Sequence, residues 1–422
     1  MKTNFLRFLA LNNKFAPIVL SFSVFSVGIL NAQALYTLKS AIEQDPHKNL
    51  KILPVSLDGV SNKGFIVTGQ VNDEGYLALY TSKKGGSFSK VDKPLNGEKE
   101  LPEISGSQLI NITIGGKTKG FLVLQGSALS KFYKINTDKQ LLEDITSQIP
   151  AGILNKVGLF AVADIDNDGD DDVFYSSFGN RLLMINDGKG NFSQINVRKS
   201  IPYYATGGVE FGDIDGDGYP DLLMNGTDSE TKQLQTALFK NNNKSSSTPN
   251  SFIKVNAGLT GTLYSKAIFV NKGKTSDIFV TGQPGALTTE SLARLWVNND
   301  NGTTFTKSEN AFKGLRTAVT LLATDMNGDG VDDIIYCGGV SNNYEDPGNI
   351  IGGLRTLVYL SDGKLYKEAK PSDYFENISN AGTSNYIVDN IDVDGDGKNN
   401  DFIVAISNSN ITRPSIFLYE RK

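Results

Sequence analysis

The residues in this chain best suited to chemistry are aspartates, and they recur at one spacing. In Asp213-Ile214-Asp215-Gly216-Asp217-Gly218-Tyr219-Pro220-Asp221, carboxylates hold positions one, three, five and nine, and glycine holds position six. Such a loop offers only oxygen ligands around a sharp turn, which suits a hard cation, Ca²⁺ above all. The spacing returns as Asp164, Asp166, Asp168, Asp170 and Asp172, and as Asp325, Asn327, Asp329, Val331 and Asp333. With one inserted residue it returns again as Asp392, Asp394, Asp396, Lys398 and Asp401. Side chains at positions one, three, five and nine are the candidate ligands; the seventh residue (Asp170, Tyr219, Val331 or Lys398) would add its backbone carbonyl. An EF-hand is excluded, because it needs a bidentate Glu at position twelve and a helix on either side. Here the twelfth residues are Tyr175, Met224, Tyr336 and Ile403, and apolar strand-like runs follow. Up to four Ca²⁺ are therefore expected, as structural clips, with the Asp392 loop the least regular.

Charge agrees with a stabilising cation. The four loops hold 18 of the 46 acidic residues. Clustered carboxylates repel one another, and four divalent ions would bring the chain after residue 34, whose formal charge is −8, close to neutrality.

The elements that must present these loops repeat along the chain. Aligned on the apolar run after each loop, repeats begin at Ser56, Ile112, Asp164, Asp213, Phe269, Asp325 and Asp392, at intervals of 49 to 67 residues. That period is the mark of a propeller or solenoid, and four short strands with their turns fill it. Second strands read as Gly64-Phe65-Ile66-Val67, Gly120-Phe121-Leu122-Val123 and Asp277-Ile278-Phe279-Val280 even where the loop is not acidic. Third strands read as Arg181-Leu182-Leu183-Met184 and Arg294-Leu295-Trp296-Val297, among others. Forty-three glycines and no amphipathic helical stretch fit many short strands. The last repeat ends on a third strand, Ser415 to Tyr419, so the stretch Ala34 to Lys39 is expected to pair with it and close a ring.

The run Gly207-Gly208-Val209-Glu210-Phe211-Gly212-Asp213, the loop after it and Asp221-Leu222-Leu223-Met224-Asn225-Gly226 resemble the FG-GAP or VCBS repeats of integrin-α-like propellers. The resemblance implies an all-β fold, a single seven-bladed β-propeller of four-stranded antiparallel blades over residues 35–422, with calcium between the first two strands of a blade. It implies no particular activity.

Residues 1–34 read as a cleaved signal peptide: Lys2, Arg7 and Lys14, an apolar stretch from Ala16 to Leu30, then Ala32-Gln33-Ala34. The apolar stretch is shorter than the roughly 20 residues a membrane span needs, so no transmembrane segment is expected. The ending of this signal resembles those of bacteria with a type IX secretion system. With no room for a sorting domain after Tyr419, a periplasmic location is expected, with extracellular or cell-surface display as the alternative. The only cysteine, Cys337, allows no disulfide framework. Catalysis is not expected: His47 is the single histidine, Trp296 the single tryptophan, and nothing singles out acids such as Glu210, Glu290 or Glu345. Scattered Lys and Arg argue against nucleic acid.

What remains is a binding scaffold, monomeric, for a protein partner, with an outer-membrane β-barrel as one candidate; the alternative is a carbohydrate-active enzyme of the lyase kind, or a lectin or adhesin. Binding is expected on the rim of loops between second and third strands. The longest, Gly338 to Leu354, carries Tyr344, Glu345, Asp346, Ile350 and Ile351 as candidate partner contacts.

Overall fold

Each repeat reads as short apolar runs divided by Gly, Asn and Asp turns, and each folds into four antiparallel strands. The computed structural model describes residues 35–422 except 43–47, 98, 107, 117, 125–129, 149–157, 243–250, 260–262, 271–274, 284–292, 300–301, 309–311, 313, 342–349, 362–364, 370–372, 376–384 and 408–415. The strands form seven four-stranded sheets, six of them built in simple chain order. The innermost strands are Lys48–Val55, Gln108–Ile114, Leu159–Ala163, Tyr203–Gly212, Leu263–Val270, Leu315–Thr324 and Asn385–Ile391. Each touches the innermost strand of the next blade, and the last touches the first, so the ring is closed. This is the expected seven-bladed propeller. The one described helical element is the 3-10 turn Thr146–Gln148, and among the described residues no helix is long and apolar enough to cross a membrane.

Burial follows strand periodicity on both faces of each blade, because successive side chains point to opposite neighbours. In the second strand of blade 3, Val173 and Tyr175 pack towards blade 2, whereas Phe174 packs towards blade 4. Among the described residues the buried apolar side chains form seven clusters, each shared by two adjacent blades. The core is thus a ring of inter-blade wedges. Trp296 lies in one of them, 7% exposed, as its apolar strand implies.

The seventh sheet is completed from the other end of the described chain. Tyr36–Ile42 pairs antiparallel with Ile416–Arg421, from Tyr36 opposite Arg421 to Ile42 opposite Ile416, with a bulge between Leu38 and Ser40. The Tyr36 ring stacks on Phe375 at 5.3 Å and meets Phe402 edge-on at 4.9 Å. Its hydroxyl donates to the Met326 carbonyl of blade 6 at 2.9 Å. Closure therefore binds three parts of the ring: both termini of the propeller and the loop of its neighbouring blade.

Replacing Tyr36 by Ala should cost about 3–5 kcal/mol, the range for a large buried aromatic, read as a shift of the denaturant midpoint at unchanged slope. A variant lacking residues 35–42 should exchange backbone amides across Ile416–Arg421 rapidly; full protection there would show that another segment covers the edge.

Candidate functional site

The four acidic loops join first to second strands in blades 3, 4, 6 and 7, so all open on one face. Their first carboxylate shapes the turn. Asp164 accepts from the backbone N–H of Asp168 and Gly169, Asp213 from Asp215, Gly216 and Gly218, and Asp325 from Gly328, Asp329 and Gly330. Asp392 accepts in the same way from Gly395 and Gly397. Two loop positions take left-handed backbone: the sixth, as in Gly218 (φ 89°), and the fourth, as in Asn167 (φ 61°) and Gly216 (φ 73°). The run of Asn or Gly at position four was a legible signal for the second.

The ninth carboxylate, expected only as a ligand, is also a bracket between backbones. Asp221 accepts from Ile214 N at 2.9 Å and from Asn241 N at 2.7 Å, tying its loop to the end of the third strand. Asp172 does this with Ile165 and Asn186, Asp333 with Met326 and Ser361, and Asp401 with Val393 and Arg421. All four aspartates are at most 1% exposed. Blade 5, which lacks the acidic loop, keeps half of this bracket: Asp277 accepts from Asn298 N at 2.8 Å. Blades 1 and 2 have Gly64 and Gly120 at this position, where a Cβ would come within 3.0 Å of the Tyr80 carbonyl oxygen and 2.8 Å of that of Tyr133.

The loops also hold adjacent blades together. Their second residues, Ile165, Ile214, Met326 and Val393, are buried in the wedge clusters. The Asn241 amide donates to Ile165 O at 2.8 Å, and the Asn298 amide donates to Ile214 O at 2.6 Å, each from the following blade. Asp170, expected to offer its backbone carbonyl, is buried, and its carboxylate accepts from Gly116 N of blade 2 at 2.8 Å.

A cation would be held chiefly by the carboxylate oxygens left over. Oxygens of Asp164, Asp166 and Asp172 lie within 4.8 Å of one another, as do those of Asp213, Asp215 and Asp221 and those of Asp392, Asp394 and Asp401. The third-position acids bear the test of fit: Asp166 Oδ1 and Asp215 Oδ1 are buried with no hydrogen-bond partner. Such anionic oxygens are costly unless a positive charge meets them. Burial, then the charges of Asp166 and Asp168, push Asp172 up to about 7 despite its two N–H donors; burial and Asp215 and Asp217 do the same to Asp221. A hard divalent ion would reverse that shift. In blade 4, Lys240 lies on Asp215 and within 3.6 Å of Asp217, so the loop already attracts a cationic side chain. The fifth acids Asp168, Asp217, Asp329 and Asp396 each turn one oxygen to the N–H of the seventh residue, namely Asp170, Tyr219, Val331 and Lys398. In the Asp325 loop the Asn327 amide donates to Asp329 at 3.1 Å, and Asp333 is pushed up to about 6, mainly by burial.

On the opposite rim the expected partner loop is corrected. Blade 6 continues its strands to Ser341 and resumes at Ile350, with Ser341 opposite Ile350. Ile350 and Ile351 are therefore strand residues, in keeping with the strand preference of β-branched residues. Tyr344, Glu345 and Asp346 lie outside the described residues, as do His47, Glu290 and residues 1–34. Glu210 accepts from Phe269 N at 3.2 Å, a contact between blades 4 and 5. What the sequence reading passed over on this rim is Phe178, 74% exposed on the turn between the second and third strands of blade 3. Its ring meets Tyr204 edge-on at 5.1 Å. Behind them the fully buried Arg181 donates to the carbonyls of Phe178, Ile201 and Pro202 and to the Ser229 hydroxyl, with its guanidinium 5.8 Å from the Tyr204 ring centroid.

Residues 164–224 match the FG-GAP-like repeat family, and the seven four-stranded blades together with that match support an FG-GAP/VCBS propeller. No curated protein sequence matches the chain. Among solved structures, the BP39L lectin from Burkholderia pseudomallei is similar at TM-score 0.52 and 12% identity, covering 91% of this chain and 96% of that one. An Agrocybe aegerita lectin that recognises non-reducing terminal N-acetylglucosamine is similar at TM-score 0.47 and 15% identity, covering 90% and 91%. At these identities the first likeness is one of propeller fold alone, and the second carries no argument.

Because Asp221 and Asp277 satisfy buried N–H groups, their replacement by Ala should destabilise by about 1–3 kcal/mol per donor left unpaired, with a metal chelator present. Asp166→Asn, which alters a carboxylate with an unpartnered oxygen, should be close to neutral under the same conditions. Equilibrium denaturation checks both; an Asp277→Ala protein as stable as wild type would refute the bracket.

Proposed function

We propose that this chain is an exported propeller clipped by calcium, acting as a binding scaffold for another protein on the rim that bears Phe178. The calcium reading is supported by the unpartnered buried oxygens of Asp166 and Asp215. The binding reading is carried by Phe178: an exposed aromatic fixed by a buried arginine is preorganised as an anchor, and anchors of this kind dominate protein interfaces. The acceptors that Arg181 meets here, three carbonyls and a hydroxyl, are all neutral, and Arg198 repels it, so the patch is electropositive and favours a partner segment with an apolar residue beside acidic ones. The export and periplasmic parts of the reading come from residues 1–34, and an outer-membrane β-barrel remains the candidate partner.

The rival is carbohydrate binding, which a propeller scaffold also serves. Phe178 could stack on a sugar ring; yet the polar groups around it are turned inward, with Arg181 spent on backbone carbonyls. That favours a protein anchor over a sugar subsite.

Calcium bound only by the native state should raise the melting temperature of chelator-stripped protein, by the equivalent of about 2.7 kcal/mol at a hundredfold excess over Kd. Asp166→Asn and Asp215→Asn together should blunt the rise, and an unchanged melting curve would refute the clip. For the scaffold, the partner is captured from detergent-solubilised envelopes, purified and titrated against wild type and Phe178→Asp. Binding at least tenfold weaker in the variant, with its calcium response intact, is expected. Equal affinities, or binding only to a glycan panel, would overturn the reading.

A further inference from the structure

The four acidic loops share their aspartates but not the side chain that the third strand sets beside them. The residue just before the one whose N–H meets the ninth carboxylate is Ile185 in blade 3, Lys240 in blade 4, Leu360 in blade 6 and Glu420 in blade 7. Ile185 and Leu360 pack against the wedge clusters, and Glu420 pairs with Lys39 at 3.0 Å. Lys240 instead reaches its own loop, where its ammonium lies on Asp215 and 3.6 Å from Asp217.

This contact leaves the loop's charge unfinished. The ammonium meets one oxygen of Asp215, while Oδ1 of the same carboxylate stays buried with no hydrogen-bond partner. The oxygens of Asp213, Asp215 and Asp221 that lie within 4.8 Å of one another carry more negative charge than one lysine offsets. Lys240 is held close by its backbone, because Asn241, the next residue, is tied to Asp221. Its side chain is 31% exposed, so water is open to the ammonium as an alternative to the loop. The Asp215 side chain has less freedom: Gly302 of blade 5 lies against it, so close that a Cβ there would come within 2.9 Å of the Asp215 Cβ.

We propose that Lys240 is a built-in competitor for the cation of blade 4. Its ammonium neutralises part of the empty loop and must leave Asp215 and Asp217 for Ca²⁺ to bind there. The inference rests on the calcium reading above and adds to it the residue that sets the affinity of one loop. A tethered group competes at a high effective concentration, and two cations cannot share one small carboxylate cluster without repulsion. Lys240 therefore steadies the loop while it is empty and lowers its affinity for the ion by the same free energy.

The test reads this loop through Trp296. The single tryptophan is buried in the same wedge cluster as Ile214 of the loop, and Asn298, two residues further along its strand, donates to Ile214 O at 2.6 Å. Tb³⁺, a luminescent stand-in for Ca²⁺, is titrated into chelator-stripped protein with excitation through Trp296, and Ca²⁺ then displaces it. Lys240→Met and Lys240→Gln should each bind both ions at least tenfold more tightly than wild type. Asp215→Asn should remove the signal, which assigns it to this loop. In chelator, Lys240→Met should be less stable to denaturant than wild type, by about 1.4 kcal/mol for each tenfold gain in affinity. At saturating calcium the deficit should vanish, because the wild-type ammonium is then in water as well. Equal affinity of wild type and both variants, or a deficit that persists at saturating calcium, would overturn this inference alone. Absence of sensitised emission from all three proteins, with no rise in melting temperature on adding calcium, would overturn it together with the calcium reading.

Discussion

Buried backbone N–H groups must be paired, and in this propeller the hardest ones to pair lie where a loop leaves the first strand and re-enters the second. The ladder ends there, yet the chain is still inside the inter-blade wedge. An aspartate at the start of the second strand resolves this, one oxygen taking the loop and the other the end of the third strand. The solution recurs in blades 3, 4, 6 and 7 and survives in part in blade 5 through Asp277. Only a carboxylate does this with two acceptors on so short a stem, and the acid must then stay buried in a cluster of other acids.

That cluster is the cost of the device and its opportunity. The first and ninth aspartates of each loop are occupied with backbone donors, so they shape the loop whether or not an ion is bound. The third is different: in blades 3 and 4 it brings a buried oxygen with no partner into the same few ångströms. The loop thus divides into residues that build the turn and a residue whose burial makes sense only with a positive charge beside it. The neighbouring blade is coupled to the same place, through Asn241 on Ile165 and Asn298 on Ile214, so strain in one loop is felt by the wedge next to it.

Alternating strand direction separates the molecule into functional regions. Acidic loops open on one face, where they stitch blades together. The other face carries the turns between second and third strands, and there Phe178 and Tyr204 stand over a buried arginine that donates to three carbonyls and the Ser229 hydroxyl.

Much of the architecture was legible without coordinates. Period-two apolar runs, the repeat length and the loop spacing determine seven blades of four strands, because each depends on contacts between residues close in sequence. Even closure followed from an uncovered third strand at the far end, read as Ala34 to Lys39 and found as Tyr36–Ile42. The repeat alignment misjudged Ile350 and Ile351, since a hairpin's length depends on the register it finds with its partner strand and not on its own composition. It also could not divide one aspartate's role from another's, because Asp166 and Asp172 differ only in which N–H groups the folded chain brings to them. Phe178 carries no signal in the sequence at all; its exposure is set by neighbouring blades, and only the closed ring decides which blades are neighbours.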